Sequence, residues 1–363
     1  MRKSDFIYAI FLLISTVIGV GIFALPYALN KSGYWFLFWL IFWLFGFSFL
    51  HYIYTFLLEN ISPKENFPGI LAKGFKIPKL KIVGWLLDLL TYSTTLLIYF
   101  LIAGEFLPKI FPFLTFDSGK IVFAFLSLLL GILGLAGFAK LESTLAILMI
   151  ILILFFSGYF LVNSKIDLKL SFGDPLFSYA PLVFAYTGIS AVPIVYDLLK
   201  DKKKVFKASL ISYIIIAFLY FVFALSSLKF IGPSIEELSL ISFSKVLPSF
   251  LMKIIIYLTI FNILTTAATF FFYLKRGLKL EILKPGISSI FSDFLLLFLT
   301  IFLVSLPKMG FISLINFLGE IVLGLEFLLI LVLYYLLEKN KTLKILTIFL
   351  GVVLIMAFIH GLR

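Results

Sequence analysis

The 363-residue sequence has no cysteine, only two histidines (His51 and His360) and just 13% charged residues. Without cysteine there can be no disulfide framework. Two histidines leave no material for the usual Cys/His zinc sites and very little for Ser–His–Asp chemistry. The scarcity of charge excludes more. A soluble domain carries about 25% charged and about 45–50% apolar residues, whereas this chain is 63% hydrophobic and 18% aromatic. So much apolar surface cannot hide inside a water-soluble core, so the solvent for most of the chain is lipid. The net charge of +12 would suit a nucleic-acid partner. However, the basic residues sit in short loops between long apolar runs, the pattern that orients a membrane protein.

A helix that crosses a bilayer needs about 20 largely apolar residues. On that rule the chain reads as an all-α integral membrane protein with eleven spans, at 6–29, 35–58, 83–107, 121–138, 141–162, 175–199, 206–230, 250–274, 287–306, 311–337 and 343–362. The segments are too long, and alternate too little, for barrel strands. The first span is too long for a cleavable signal and lacks a small-residue cleavage site. An odd number of spans puts the termini on opposite sides. With the N-terminus in the cytoplasm and the C-terminus outside, about two-thirds of the 30 Lys and Arg fall on the inner side, as expected for a multi-pass protein of the inner cell membrane.

Two spans share a pattern. Gly21-Ile22-Phe23-Ala24-Leu25-Pro26 in the first and Gly188-Ile189-Ser190-Ala191-Val192-Pro193 in the sixth repeat Gly, Ile, Ala and Pro in register, 167 residues apart. Five spans separate them, so they cross the membrane in opposite directions. One transmembrane domain is expected, with a first inverted repeat at 1–163, a second at 175–338 and an extra helix at 342–363. Paired Gly/Pro-interrupted spans in corresponding halves point to a transporter's binding site.

The chemistry follows from the backbone. Gly19, Gly21 and Gly188 weaken helix formation, and Pro26 and Pro193 each remove an N–H. Unwound backbone at membrane depth persists only where it lines a cavity or is buried in protein. Breaks are expected near 18–22 and 187–190. A broken helix exposes carbonyls at one pole and N–H groups at the other, about half a charge each. An α-amino acid zwitterion matches these poles, its carboxylate near Gly19–Gly21 and its ammonium near the Phe184–Thr187 carbonyls. The expected substrate contacts are therefore Ile18, Gly19, Val20, Gly21, Phe184, Tyr186, Thr187 and Gly188.

The stretch Ser15-Thr16-Val17-Ile18-Gly19-Val20-Gly21-Ile22-Phe23-Ala24-Leu25-Pro26-Tyr27-Ala28 resembles the first-span signature of amino acid/auxin permeases and bacterial aromatic amino acid permeases. Both belong to the amino acid–polyamine–organocation superfamily. Pro181-Leu182-Val183-Phe184-Ala185-Tyr186-Thr187-Gly188, followed by Pro193, is more loosely similar to their sixth span. The resemblance implies a LeuT-like five-plus-five inverted repeat with helices 1 and 6 discontinuous, and cation-coupled amino acid uptake. Bacterial aromatic permeases tend to carry Phe-His in the sixth-span break; this chain has Tyr186 and Thr187.

Asn262, Thr265 and Thr266 fall at i, i+3 and i+4 in the eighth span. They would complete a Na⁺ site with carbonyls near Ser15 and Ile18, as a span-eight hydroxyl pair does in relatives of this fold. The alternative is that these hydroxyls bond back to their own helix. Proton-coupled relatives may place a Lys in the middle of span five; here Lys140 and Lys165 only flank it, which favours Na⁺. Glu320 and Glu326 lie inside the tenth span, where carboxylates are costly; they read as coupling or gating groups, the alternative being neutral or hydrogen-bonded packing acids. Six residues apart, they point about 120° away from each other. Asp88, Glu105, Asp197 and Asp293 read as interfacial, His51 as a packed hydrogen-bonding group, and Gly131, Gly134 and Gly137 as a packing ridge. Tyr92 and Tyr99 are in reach of a pocket.

The expectation is thus a permease rather than an enzyme. It would work by alternating access on a small molecule, an amino acid, with no cofactor beyond a coupling Na⁺ or H⁺ and no nucleic acid. A membrane-embedded transferase and a passive channel stand as alternatives. The acids are too scattered for metal–diphosphate chemistry, and a channel leaves the paired breaks unexplained. Gly19-x-Gly21-x-x-Ala24 also fits a relaxed dinucleotide fingerprint, but that motif needs a preceding strand.

Overall fold

A computed structural model describes residues 3–62, 65–133, 138–164, 166–278 and 289–362. Gly134, Gly137 and Lys165, and the loop charges Arg2, Lys64, Lys279 and Lys284, lie outside the described residues, as does the Lys140 side chain. The first span is α1 (Lys3–Val17) followed, after a break, by α2 (Leu25–Ser32); its two parts are bent by 50°. α3 (Tyr34–Asn60), the short α4 (Phe67–Gly74), α5 (Leu80–Ile110), α6 (Phe116–Leu133) and α7 (Phe138–Val162) complete the first half. The sixth span is α8 (Tyr179–Tyr186) and α9 (Val192–Leu199). It is followed by α10 (Lys202–Ile231), the short α11 (Ser239–Val246), α12 (Ser249–Gly277) and α13 (Ser289–Ser305). The tenth span joins α14 (Phe311–Asn316) to α15 (Leu323–Leu337) through a π-turn, and α16 (Lys341–Gly361) ends the chain.

Among the described residues, α3, α5, α6, α10, α12 and α16, with α8–α9 and α14–α15 each taken as one, make eight helices long and apolar enough to cross a membrane, and the bent first span makes nine. α7 and α13 occupy the positions expected for the fifth and ninth spans. Helix starts are specified locally. Asp201 caps α10 by accepting from the Lys203 and Lys204 N–H groups at 2.8 and 3.4 Å, and Asn340 caps α16 at 2.9 Å from the Thr342 N–H. Pro26 and Pro193 stand in the first turns of α2 and α9. There the missing N–H costs nothing and the fixed φ suits the helix. The prolines therefore restart each span after its break instead of causing the break.

The core is aromatic. Trp43, Tyr179, Tyr186, Tyr213 and Tyr220 are all fully buried, whereas Phe298 and Phe349 are more than half exposed on the outside of the bundle. α10 packs on α1, α2, α3 and α7, and α5 packs on α6 and α12. Gly131 is where α6 meets α12: a Cβ there would lie 2.7 Å from the Ala268 carbonyl oxygen, so the glycine permits the contact.

On the side opposite the N-terminus, the chain between α7 and α8 straps the outer ends of spans one and six together. The Gly173 and Asp174 N–H groups donate to the Ser32 and Lys31 carbonyls (3.2 and 3.1 Å), and Tyr34 N–H donates to Ser171 O (3.2 Å). The Trp39 indole donates to Pro175 O at 2.6 Å, and the Ser32 and Ser178 hydroxyls share a hydrogen bond. Gly33, at φ +57°, makes the turn; a Cβ there would sit 1.6 Å from Ser171 O.

Candidate functional site

Both predicted breaks are present, and each is short. α1 ends at Val17, Ile18 and Gly19 are non-helical, and a 3₁₀ turn follows at Val20–Ala24. α8 ends at Tyr186, Thr187 and Gly188 are non-helical, and a 3₁₀ turn follows at Ile189–Ala191. The two breaks touch. A Cβ on Gly21 would lie 2.8 Å from Ala185 Cα, and one on Gly188 would lie 2.4 Å from Val17 Cγ2. Gly21 is thus a close-packing glycine against the sixth span and not a wall of open space. Gly19 is the reverse, with nothing within 4 Å of its ideal Cβ position.

A third element, α10, fixes the pair. The Tyr220 hydroxyl lies 3.1 Å from Val17 O and 2.7 Å from Ala185 O, so one O–H faces the last carbonyls of both interrupted half-helices. The Tyr213 hydroxyl lies 3.1 Å from Tyr186 O and 3.1 Å from His51 Nε2, and His51 Nδ1 is 2.9 Å from Ser209 Oγ. His51 is fully buried and packs as a hydrogen-bonding group. These partners satisfy carbonyls that a broken helix leaves exposed. The Tyr186 ring belongs to this cluster, against Tyr213, Tyr220 and Phe47, with its hydroxyl 3.3 Å from Leu40 O. Its side chain is therefore part of the scaffold, unlike those of its neighbours Phe184 and Thr187.

Those two residues open onto a cavity of about 350 Å³, within the range of small-molecule sites. α1 contributes Tyr8, Leu12, Ser15 and Thr16; α5 contributes Asp88, Thr91, Tyr92 and Thr95; α12 contributes Asn262, Thr266, Thr269 and Tyr273. Each set follows helical spacing, so each helix gives one stripe. Ser190, Ile194 and Glu326 close the ring. The cavity runs from the breaks toward the N-terminal side, the side of Tyr8, Asp88 and Tyr273. On the other side of the breaks, Phe23 meets Phe223, Phe223 meets Phe243, and Phe243 meets Phe160, with centroids 5.9, 6.1 and 4.9 Å apart. That side is closed by rings.

The remaining expected residues divide as follows. Ile18, Val20, Gly21 and Gly188 are buried and do not line the cavity, whereas Gly19 is half-buried, with open space at its Cβ position. Ser15, Asn262 and Thr266 line it, whereas Thr265 is buried beside it. The hydroxyls do bond back to their own helices, Ser15 to Leu12 O at 2.8 Å, and Thr265 and Thr266 to Asn262 O at 2.9 and 3.0 Å. Tyr92 reaches the cavity; Tyr99 stacks on Phe270 behind it, centroids 6.1 Å apart. Glu320 and Glu326 point apart as expected. Glu320 lies in the π-turn, with His360 Nδ1 of α16 at 3.4 Å, and Glu326 faces the cavity.

Asp88 corrects the sequence reading. Besides lying near a span end, it lines the cavity together with Glu326. The missed signal was the stripe Asp88, Thr91, Tyr92, Thr95 at i, i+3, i+4, i+7, a polar face inside an apolar span. Glu105, Asp197 and Asp293 are paired, with Lys308 at 3.1 Å, Lys200 at 2.7 Å and Lys275 at 2.6 Å. Among the described residues no group of three or more His, Asp or Glu could hold a metal ion.

The fold is shared with solved transporters. The structure of MhsT in complex with L-phenylalanine superposes with a TM-score of 0.69 at 14% identity, covering 100% of this chain and 98% of that one. The manganese transporter of Eremococcus coleocola gives 0.65 at 14% identity over 98% and 86% of the two chains. Mhp1, a nucleobase-cation-symport-1 family transporter, gives 0.63 at 13% over 98% and 90%. At these identities the likeness is one of fold, a LeuT-like arrangement. No curated protein matches the sequence. Residues 2–361 match the family described as transmembrane amino acid transporter protein. The chain, a multi-pass membrane protein whose two broken spans meet at a closed-ended cavity, belongs to that family of secondary transporters.

Proposed function

We propose that this protein is a cation-coupled amino acid symporter of the cell membrane, not an enzyme, with its N-terminus in the cytoplasm and its C-terminus outside. The observation that carries the reading is the cavity itself. It begins at Phe184 and Thr187 beside both breaks, runs to the N-terminal side and is sealed on the other by the Phe23–Phe223–Phe243 contacts. With the N-terminus inside, this is the inward-facing state of an alternating-access cycle. The backbone poles of the breaks match an α-amino and α-carboxylate pair.

The coupling ion we assign is Na⁺, held between α1 and α12. Ser15 and Thr266 give their protons to carbonyls of their own helices, which leaves the hydroxyl lone pairs free to face a cation. Sodium accepts such an oxygen-only shell without a carboxylate. One Na⁺ entering down 100 mV releases about 2.3 kcal/mol, enough for roughly fifty-fold accumulation of a zwitterion at about 1.4 kcal/mol per tenfold. The test is uptake of labelled amino acids into proteoliposomes under a Na⁺ gradient, a pH gradient or neither. Uptake driven by Na⁺, with the Na⁺ requirement raised sharply by Thr265→Ala with Thr266→Ala, is the expected result. Uptake indifferent to Na⁺ but abolished without a pH gradient would transfer coupling to a carboxylate, and no uptake of any amino acid would end the symporter reading.

A further inference from the structure

Two carboxyl groups, Asp88 and Glu326, line the cavity, and among the described residues no Lys, Arg or His lines it. Glu326 is only 5% exposed, although buried carboxylates at membrane depth are normally paired. Among the described residues its one hydrogen bond is a long one, accepted from Thr91 Oγ1 at 3.4 Å. Asp88 has no hydrogen bond or ion pair among the described residues, and it lines the same cavity as Glu326. Four acids nearer the surface are paired with lysines, whereas the buried Glu320 has His360, at 3.4 Å. Glu105, Glu236, Asp293 and Glu59 each have a lysine within ion-pair distance.

The surroundings fit an organic cation. Tyr92 lies against Phe270 and Tyr273, with centroids 5.1 and 6.2 Å away, and all three line the cavity next to the acid pair. Aromatic faces beside carboxylates recognise ammonium and guanidinium groups through the ring quadrupole and charge-assisted hydrogen bonds. A bare metal ion would use none of the aromatic surface. Position agrees too. α5 rises about 10 Å from Asp88 to Thr95, at about 1.5 Å per residue, and both residues line the cavity, so it is long enough for an extended side chain.

We infer that the substrate is a dibasic amino acid, its side-chain ammonium or guanidinium held between Asp88 and Glu326 while its α-amino and α-carboxylate groups meet the breaks. The inference rests on the reading of this cavity as the amino acid site. A zwitterion with a neutral side chain leaves both carboxylates uncompensated; a dibasic one brings the missing charge.

The experiment compares lysine with norleucine, which matches its chain length but lacks the side-chain charge. Both are offered to the purified full-length protein in proteoliposomes, in competition for labelled lysine. Lysine is expected to bind at least tenfold more tightly than norleucine. Glu326→Gln and Asp88→Asn should each shrink that preference at least tenfold, while Glu320→Gln, outside the cavity, should leave it in place. Residual norleucine binding by the carboxamide variants shows that they are folded. Equal affinity for lysine and norleucine overturns the inference while leaving an amino acid site standing. So does a Glu326→Gln variant that keeps its lysine preference but loses dependence on Na⁺ or pH, since the acids would then serve the coupling ion. If neither compound binds, it is the reading of the cavity that falls.

Discussion

Tyr220 offers the sharpest test of how the two breaks are held. Its hydroxyl stands 2.7 Å from Ala185 O and 3.1 Å from Val17 O, and it has a single proton to give. Tyr220→Phe keeps the ring and its contact with Tyr186, 5.4 Å between centroids, and removes only the donor. A buried polar group left unpaired costs about 1–3 kcal/mol. Because one proton serves two acceptors, the single-group figure applies rather than twice it. Tyr179 supplies the control, because it is fully buried but its hydroxyl has no partner among the described residues. Tyr179→Phe removes an unsatisfied group and should be neutral or slightly stabilising. The measurement is thermal unfolding of both variants in detergent, followed by the maximal uptake rate. Tyr220→Phe should melt below the wild type and transport more slowly, and Tyr179→Phe should do neither. If the two substitutions behave alike, the shared hydroxyl does not hold the breaks.

Two further outcomes separate packing from chemistry. Gly21→Val would drive its Cβ against Ala185, so it should lower the yield of monodisperse protein as well as uptake, whereas Gly19→Ala, with open space, should express and fold as the wild type does. Glu320→Gln removes the charged partner of His360 at 3.4 Å and should leave Na⁺ dependence intact, at a cost of under about 1 kcal/mol for so exposed a histidine; a loss of coupling in that variant would make Glu320, and not the hydroxyls of α1 and α12, the coupling group.

The sequence made the breaks legible because glycine and proline act locally, and Gly19, Gly188, Pro26 and Pro193 mark interruption and restart without any knowledge of partners. Spans were legible for the same reason, since apolar length is a local property. Tyr213 and Tyr220 were not. Seven residues apart on one face, they read as two more aromatics among many, and only packing shows that their hydroxyls end on carbonyls of other spans. Asp88 was misread because distance from a span end in sequence stands for depth only when the span faces lipid. Here a cavity reaches down α5, so a residue near the end in sequence lies inside in space. Gly21 and Tyr186 lie off the cavity for another reason: a helix break exposes backbone on two sides, and the motif does not say which side is the cavity.

The strap between Lys31–Gly33 and Ser171–Asp174 makes the outer halves of spans one and six a single lever with its pivot at the breaks. What swings is then the inner arms, and these are unequal. α1 has 15 residues and α9 has 8, or about 22 and 12 Å at 1.5 Å per residue. For the same angular swing the tip of α1 travels nearly twice as far as that of α9. A 10° rotation moves the tips by about 4 and 2 Å. For equal rotations of the two arms, most of any change in aperture on the N-terminal side would therefore come from the first helix, the longer arm.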